Sequence, residues 1–538
     1  MKALVNGSVW TGGNPGVRSE AIGISGERIV AVGTSADVVE GMGPGVEVMD
    51  LEKRFVSAGF QDAHVHPADG GMQRMQCDLS GCTSAKEALA AIAAYVAGHP
   101  EVEFVQGGGW LYPWFEGGNP EAHALDAVTG GVPTYLTVAD GHSGWANQAA
   151  LRLAGIKSST PDPSDGRIVR NEDGSPQGTL HEGAMALVER IVPSPSPDEL
   201  REGLLAGQSA LFEVGVTSWQ DAWVNAEIHE LYRSLAISGE LRASVRGALW
   251  WDRERGLEQL DDLIELSREG HERYDPRTIK LMLDGVCENH TAAMLDPYTD
   301  RAGRPTDNSG LDFIDPQDLP AIVTAIDAAG LQCHFHALGD RAVRNALDAI
   351  EAARYANGPT DLRHHIAHLQ VVHPDDVSRF GSLGVTANLQ PLWACADEAV
   401  TELTLPFLQE PQRIHQYPFA ALARRTNIAM GSDWPVSSPD VMAQVAVAAT
   451  RAVSEETLEE AFLPDQKLDY ATSLKAFTSG SAYVNHLDHE TGVIAPGFRA
   501  DLVILDQDPF GLAWTGGIAV DMTLVGGEIV HHRDLATN

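Results

Sequence analysis

Phe60-Gln-Asp-Ala-His64-Val-His66-Pro67, preceded by Arg54-Phe-Val-Ser-Ala-Gly59, is the stretch on which the fold turns. Apolar residues lead into it and a proline closes it, the profile of a strand opening into a loop. Side chains two apart on a strand share a face. His64 and His66 therefore project together, as two imidazoles on one cation would. Alone, an H-x-H segment is more often a pair of core histidines with ordinary hydrogen-bond partners. The other strands decide, by whether they bring further ligand-type residues to the same level.

Working outward, strands and helices alternate through the middle of the chain, the pattern of βα units around a parallel sheet. The predicted strands are Gly59–His66, Val214–Asp221, Leu241–Trp250, Thr278–Asp284, Leu331–Ala337, His364–Gln370, Val385–Gln390 and Asn427–Asp433. Apolar spacings of three and four over Arg341–Ala353 mark one of the intervening helices. Eight such units predict an α/β chain folded as a (β/α)8 TIM barrel over residues 58–487, with its site at the C-terminal ends of the strands.

Two parts fall outside that repeat. Residues 1–57 and 488–538 share a texture of short strands and Gly turns, as in Ala3-Leu-Val-Asn-Gly7 and Asp501-Leu-Val-Ile-Leu-Asp506. They predict one small β-sandwich-like domain built from both termini. Residues 70–212 are too long for a first βα connection. They read as an inserted subdomain covering the barrel mouth, ended by Pro193-Ser-Pro-Ser-Pro197.

Charge excludes some functions. Asp and Glu number 75 against 37 Lys and Arg, a net charge of −38, which argues against nucleic acid or an anionic membrane as partner. Five scattered cysteines without a C-x-x-C pair suggest neither a disulfide framework nor a thiolate zinc site. The N-terminus shows no signal-like apolar stretch and no segment reaches the ~18 apolar residues of a membrane span. A cytoplasmic protein acting on a small molecule is expected.

Near the strand ends lie Lys280 and Asp284 on the fourth strand, His334 and His336 on the fifth, His364, His365 and His368 on the sixth and Asp433 on the eighth. Four imidazoles and a carboxylate at one barrel mouth suit Zn²⁺ and tolerate Mn²⁺, Fe²⁺, Co²⁺ or Ni²⁺. Lys280 adds a second possibility, since a neutral lysine reacts with CO2 to a carbamate whose two oxygens can bridge two cations. Taken singly, Lys280 also reads as a salt-bridged barrel lysine, and Asp433 as a helix N-cap.

These motifs resemble the amidohydrolase superfamily, in its amidohydrolase-3 (YtcJ-like) branch. The resemblance runs through Ala58-Gly-Phe-Gln-Asp-Ala-His64-Val-His66, Lys280 with Asp284-Gly285, His336-Ala-Leu-Gly-Asp-Arg-Ala342, His368-Leu-Gln, Gln390-Pro391, Gly431-Ser-Asp433-Trp-Pro and Gly497-Phe-Arg-Ala-Asp-Leu-Val503. Two stretches of the insertion, His142-Ser-Gly-Trp-Ala-Asn147 and Gly178-Thr-Leu-His-Glu182, join it. The resemblance implies that His64 and His66 bind the more buried metal and that Lys280, if N6-carboxylated, bridges to a second held by His336 and His368. Asp433 would ligate and serve as acid/base. His334, His364 and His365 are expected a layer deeper, as core or orienting groups. One or two metals, most simply zinc, and a homodimer are implied.

A divalent cation lowers the pKa of its water from ~15.7 to about 7 and polarises a carbonyl. Asp433 is expected to take the proton and pass it to a leaving nitrogen, giving hydrolysis of a non-peptide C–N bond in an amide, N-formyl or N-acyl amine, or cyclic amide (EC 3.5). The carbonyl oxygen would be met by the second metal, His336 or a loop group. For the substrate walls the candidates are His142, Trp145, Asn147, Gln390 and Trp434, with Trp110, Trp114, Phe115 and Trp393 in or beside the same loops. Glu182 reads as the end of a capping box with Thr179 in preference to a ligand. The alternatives are a one-metal heterocycle deaminase and, from another class, a non-catalytic metal-binding protein.

Overall fold

The computed structural model describes residues 1–533. Eight parallel strands form a nearly closed barrel, labelled here β1 (Phe60–Val65), β2 (Val216–Val224), β3 (Ser244–Trp250), β4 (Tyr274–Met282), β5 (Gln332–Ala337), β6 (His365–His368), β7 (Thr386–Leu389) and β8 (Ile428–Met430). Each expected strand is present, with ends shifted by a few residues. Strands buried on both faces read as continuous apolar runs, and β1, β5, β6, β7 and β8 are buried at every position. The seam between β8 and β1 is tied beyond the strands. The Asp433 N–H donates to the His64 carbonyl (2.8 Å) and the His66 N–H to the Trp434 carbonyl (2.9 Å). A Cβ on Gly431 would come within 2.5 Å of the His64 nitrogen, so only glycine lets the two strand ends approach this closely.

The periodicity after β5 becomes the helix Asp340–Asn357, which buries Val343, Leu347 and Ile350 along one side. Burying such side chains contributes roughly 1.5–3 kcal/mol each. Ser196 and Glu199 form a capping box, with Pro197 at the first helical position, and start the helix Pro197–Glu213. That helix packs on Pro67–Met75 at a backbone-to-backbone contact. A Cβ on Gly71 would lie 1.7 Å from the Gly203 carbonyl oxygen, and one on Gly207 2.1 Å from that of Pro67.

These two helices bracket the interval 70–212, and between them lies a six-stranded sheet in the order Gly166–Arg170, Pro176–Glu182, Ser143–Ala146, Thr134–Val138, Val105–Trp110, Cys77–Asp78. At the termini a four-stranded sheet (Arg28–Gly33, Ala21–Ser25, Lys2–Val5, Glu47–Asp50) faces a five-stranded one. The latter joins Ser8–Val9 and Phe55–Ala58 to Leu502–Leu505, Val520–Val525 and Glu528–His532. Leu4, Ile22, Ile24, Val56, Leu502 and Leu524 share one core between the two. Residues 534–538 of the expected C-terminal segment lie outside the described residues. No helix among the described residues is long and apolar enough to cross a membrane, and the five cysteines are unpaired.

Candidate metal centre

The C-terminal ends of β1, β4, β5, β6 and β8 place His64, His66, Lys280, His336, His368 and Asp433 around one cavity of about 580 Å³. Asp433 Oδ1 lies 3.0 Å from His66 Nε2 and 3.2 Å from His64 Nε2. Potential ligand atoms of these three residues all fall within 4.8 Å of one another. Lys280 Nζ is 3.5 Å from His64 Nε2, and the His368 ring sits beside those of His64 and His336, at 4.7 and 4.5 Å between centroids.

Protonation states follow from burial. Burial first, and then the Lys280 cation, hold His64 down at about 3, so its imidazole is neutral. His336 and His368 are also held well below their usual range, chiefly by burial. Burial lowers Lys280 to about 7, offset only in part by Asp433. Burial opposes ionisation of Asp433, but its interactions with the His64 ring and its hydrogen bond with His66 outweigh it and keep the carboxyl well below its usual range. Neutral His64, His336 and His368 beside an ionised carboxylate are in the form in which such groups bind a metal.

The donor set fits a divalent cation. His368 is buried with neither ring nitrogen partnered, and His66 Nδ1 is also without a partner. Buried polar atoms normally find partners, and a cation held among these rings would supply one. Two of the candidate ligands, His64 and His336, are also oriented from behind. His64 Nδ1 is 2.8 Å from His334 Nε2. His336 Nδ1 is 3.2 Å from Asp284, whose carboxylate also accepts from the backbone N–H groups of Ala293, Leu338 and Gly339. Asp62 accepts from the backbone N–H groups of His64 and Ser432, clasping β1 to the loop after β8. His368 (φ 80°), Asp433 (φ 57°) and Glu182 (φ 50°) all adopt left-handed backbone. For non-glycine residues that costs on the order of 1–3 kcal/mol each.

The deeper histidines sit where the sequence placed them. His364 accepts from the Cys333 N–H and meets Asp327 at 2.9 Å, while His365 is held by Gln220 and Asn388.

Three readings of the pocket wall and the reading of Glu182 need correction. Trp145 is buried in the core of the inserted sheet against Trp110 and Phe115, its indole N–H donated to the Glu121 carbonyl. Asn147 caps the helix Gln148–Leu153 and bridges to Thr134, Thr129 and Val132. Both alternate inward on a strand and its end, so the insertion's own packing takes them. Gln390 accepts the His368 backbone N–H at 2.8 Å and donates to Asn388, fixing the end of β6 and not reaching the cavity. Glu182 is no capping residue. Strand pairing carries residues 176–182 past Thr179, whose hydroxyl donates to the Pro120 carbonyl, and the next helix, Ala186–Glu189, has no side-chain cap.

Glu182 instead faces the cavity and receives His142 Nδ1 (2.9 Å), Asn289 (2.9 Å) and the Thr291 hydroxyl (2.7 Å). Burial opposes the charge of each partner, but the pair outweighs it. His142 is raised to about 9 by Glu182, and Glu182 is lowered to about 2 by His142 and its hydrogen bonds. The His142 ring lies 5.5 Å from that of His336, so the insertion places this paired imidazole beside the candidate ligands. Trp434 lines a second, adjoining cavity of about 720 Å³, together with Trp114 and Trp393.

Sequence reasoning missed Trp223 and Trp250, which stack at 4.2 Å and form a wall of the first cavity. They stand at the C-terminal ends of β2 and β3, a signal that was open to reading. Arg253 and Phe313, in the loops beyond β3 and β4, were not marked by any spacing.

Residues 47–531 match the amidohydrolase family, and the chain belongs to that family of hydrolases. It is 30% identical to Protein LONG AFTER FAR-RED 3 of Arabidopsis thaliana, over 98% of this chain and 90% of that one. It is 28% identical to the N-substituted formamide deformylase of Arthrobacter pascens, over 98% of each. Among solved structures, an uncharacterized metal-dependent hydrolase from Pyrococcus horikoshii superposes with a TM-score of 0.75 at 25% identity, covering 96% of this chain and 99% of that one.

Proposed function

We propose that this protein is a metal-dependent amidase that hydrolyses a non-peptide C–N bond of a small molecule, of the N-formyl or N-acyl amine type. The convergence of His64, His66 and Asp433, with unpartnered His368 and the free Nε2 of His336 across Lys280, carries this reading. The likeness to a deformylase of N-substituted formamides favours the same bond. Zinc suits three or four imidazoles and a carboxylate best, and the second group of ligands leaves room for two ions. A Lys280 lowered to about 7 has the neutral amine that carboxylation requires. A homodimer in the cytoplasm completes the reading.

His64, His66, Lys280, His336, His368 and Asp433 would hold the metal, which when bound activates water and polarises the carbonyl. Asp433 takes the proton from the attacking water and returns it to the leaving nitrogen, its left-handed backbone fixing the carboxylate beside both β1 histidines. His142, charged through Glu182, donates to the carbonyl oxygen as negative charge develops there. The stacked Trp223 and Trp250 present an apolar wall to the substrate beside His66.

The test is turnover of N-formylbenzylamine and its N-acetyl counterpart by zinc-loaded protein, read by release of benzylamine. Release from either supports the reading. Turnover confined to amino-heterocycles, with ammonia as product, would replace it with the deaminase.

A further inference from the structure

Among the four candidate histidine ligands, His368 stands apart in having no hydrogen bond to its ring among the described residues. His64 Nδ1 meets His334 at 2.8 Å, His336 Nδ1 meets Asp284 at 3.2 Å and His66 Nε2 meets Asp433 at 3.0 Å. His368 Nδ1 comes no nearer to Asp433 than 3.9 Å, too far for a hydrogen bond. A ligand imidazole ordinarily has its second nitrogen fixed by a carboxylate, a carbonyl or water, and that contact sets the plane of the ring. At His368 a packing contact takes over the task.

That contact is with Trp393. The indole lies on the His368 imidazole at 5.2 Å between centroids and 15° between planes, an offset stack. The rings of His64 and His336 instead meet His368 at 62° and 64°, edge on. The same segment of chain fixes the backbone. Gln390, just past β7, accepts the His368 N–H at 2.8 Å, and the turn Pro391–Trp393 that follows brings the indole to the ring. His368 has need of both, because its left-handed backbone (φ 80°) persists only where the surroundings hold it. Core packing alone does not account for Trp393, which is only partly buried and lines both cavities.

We propose that Trp393 is a positioning residue for the metal. By stacking it sets the plane of the His368 ring, in place of the hydrogen bond that orients His64 and His336, and so strengthens metal binding at that ligand. An imidazole that gives a lone pair to a divalent cation takes on positive character, and indole is the aromatic face that attracts positive charge best. Trp393 therefore stabilises metal-bound His368 more than the empty ring, which an aliphatic side chain in its place would not. This rests on the reading of His368 as a ligand and not on which bond is cut.

The zinc affinity of metal-free protein, measured by competition with a chromophoric chelator, tests this without turnover. Trp393→Leu is expected to weaken binding by roughly 10–100-fold, the usual cost of losing a group that orients a ligand, and Trp393→Phe by about threefold or less because it keeps an aromatic face. Trp114→Leu, which removes another indole of the second cavity, should leave the affinity unchanged. With Co²⁺ in place of zinc, the parent and Trp393→Phe should share one visible absorption spectrum, and Trp393→Leu should shift it. Trp393→Met, which refills the space without an aromatic face, replaces Trp393→Leu if that variant does not fold. Affinity and cobalt spectrum unchanged in Trp393→Leu, or affinity lost equally in Trp393→Phe, would overturn the proposal and leave the amidase reading standing. A parent that binds zinc and shows these differences but cleaves no amide would remove that reading and leave Trp393 in its role. A parent that binds no zinc would overturn both.

Discussion

Two layers of histidine occupy the same strands of this barrel and do opposite things. In the deep layer, His364 and His365 spend both ring nitrogens on Cys333, Asp327, Gln220 and Asn388. In the mouth layer, His368 leaves both unpartnered and His66 leaves one. His365 and His368 lie on one short strand, three residues apart, yet one is a structural hydrogen-bonding group and the other a candidate ligand. Residue type does not separate them. Height along the strand does, because only the last residues of β1, β5 and β6 face the cavity and the Asp433 carboxylate.

The contrast can be broken most forcefully at Asp433. Asp433→Asn keeps the shape and removes the proton acceptor, so kcat is expected to fall by roughly 10²–10⁴ with the fold retained by circular dichroism. A variant with unimpaired turnover would remove Asp433 from the chemistry. Next come the layers themselves. His368→Ala should lower bound metal per chain and turnover by tenfold or more while changing thermal stability little. His364→Ala should do the reverse, costing about 1–3 kcal/mol through the stranded Cys333 N–H and the lost contact to Asp327 with metal content unchanged. Loss of metal from His364→Ala in folded protein would dissolve the distinction between layers.

A smaller effect sharpens the role of the insertion. His142 is raised from 6.5 to about 9, so its contribution to stability is complete below pH 6.5 and is lost as pH rises through 9. Glu182 is lowered from 4.5 to about 2, so its contribution is present above pH 4.5 and is lost as pH falls through 2. The pair therefore stabilises most between pH 4.5 and 6.5. Denaturant unfolding should place Glu182→Gln furthest below the parent protein in that window, with the gap closing towards pH 10. A gap independent of pH would mean that the two are not a charged pair.

Much of this was legible in the sequence because strands have period two and barrels place chemistry at one end. Spacing put His64 and His66 on one face, strand ends offered Lys280, His336, His368 and Asp433 among other histidines, and the family resemblance singled these out as candidate ligands. The insertion was harder to read. Trp145 and Asn147 stand in the same short run as His142, yet the inserted sheet turns the first two into its own core and the third into the cavity. Which way a loop residue faces depends on pairing partners far off in the chain, such as Ser143 with His181. Glu182 was misread for the same reason: its partners Asn289 and Thr291 lie over 100 residues away, beyond any local motif. Gln390, expected at the substrate wall, instead accepts the His368 N–H, a distinction that needs coordinates.

The central claim is that the mouth layer holds a divalent cation on which activity depends. Metal analysis of protein purified without chelators, before and after dialysis against a chelator and zinc repletion, tests it most directly. The account predicts one to two ions per chain, removed by the chelator together with amide hydrolysis and restored with it. Folded protein that binds no divalent ion, even after repletion, would contradict it.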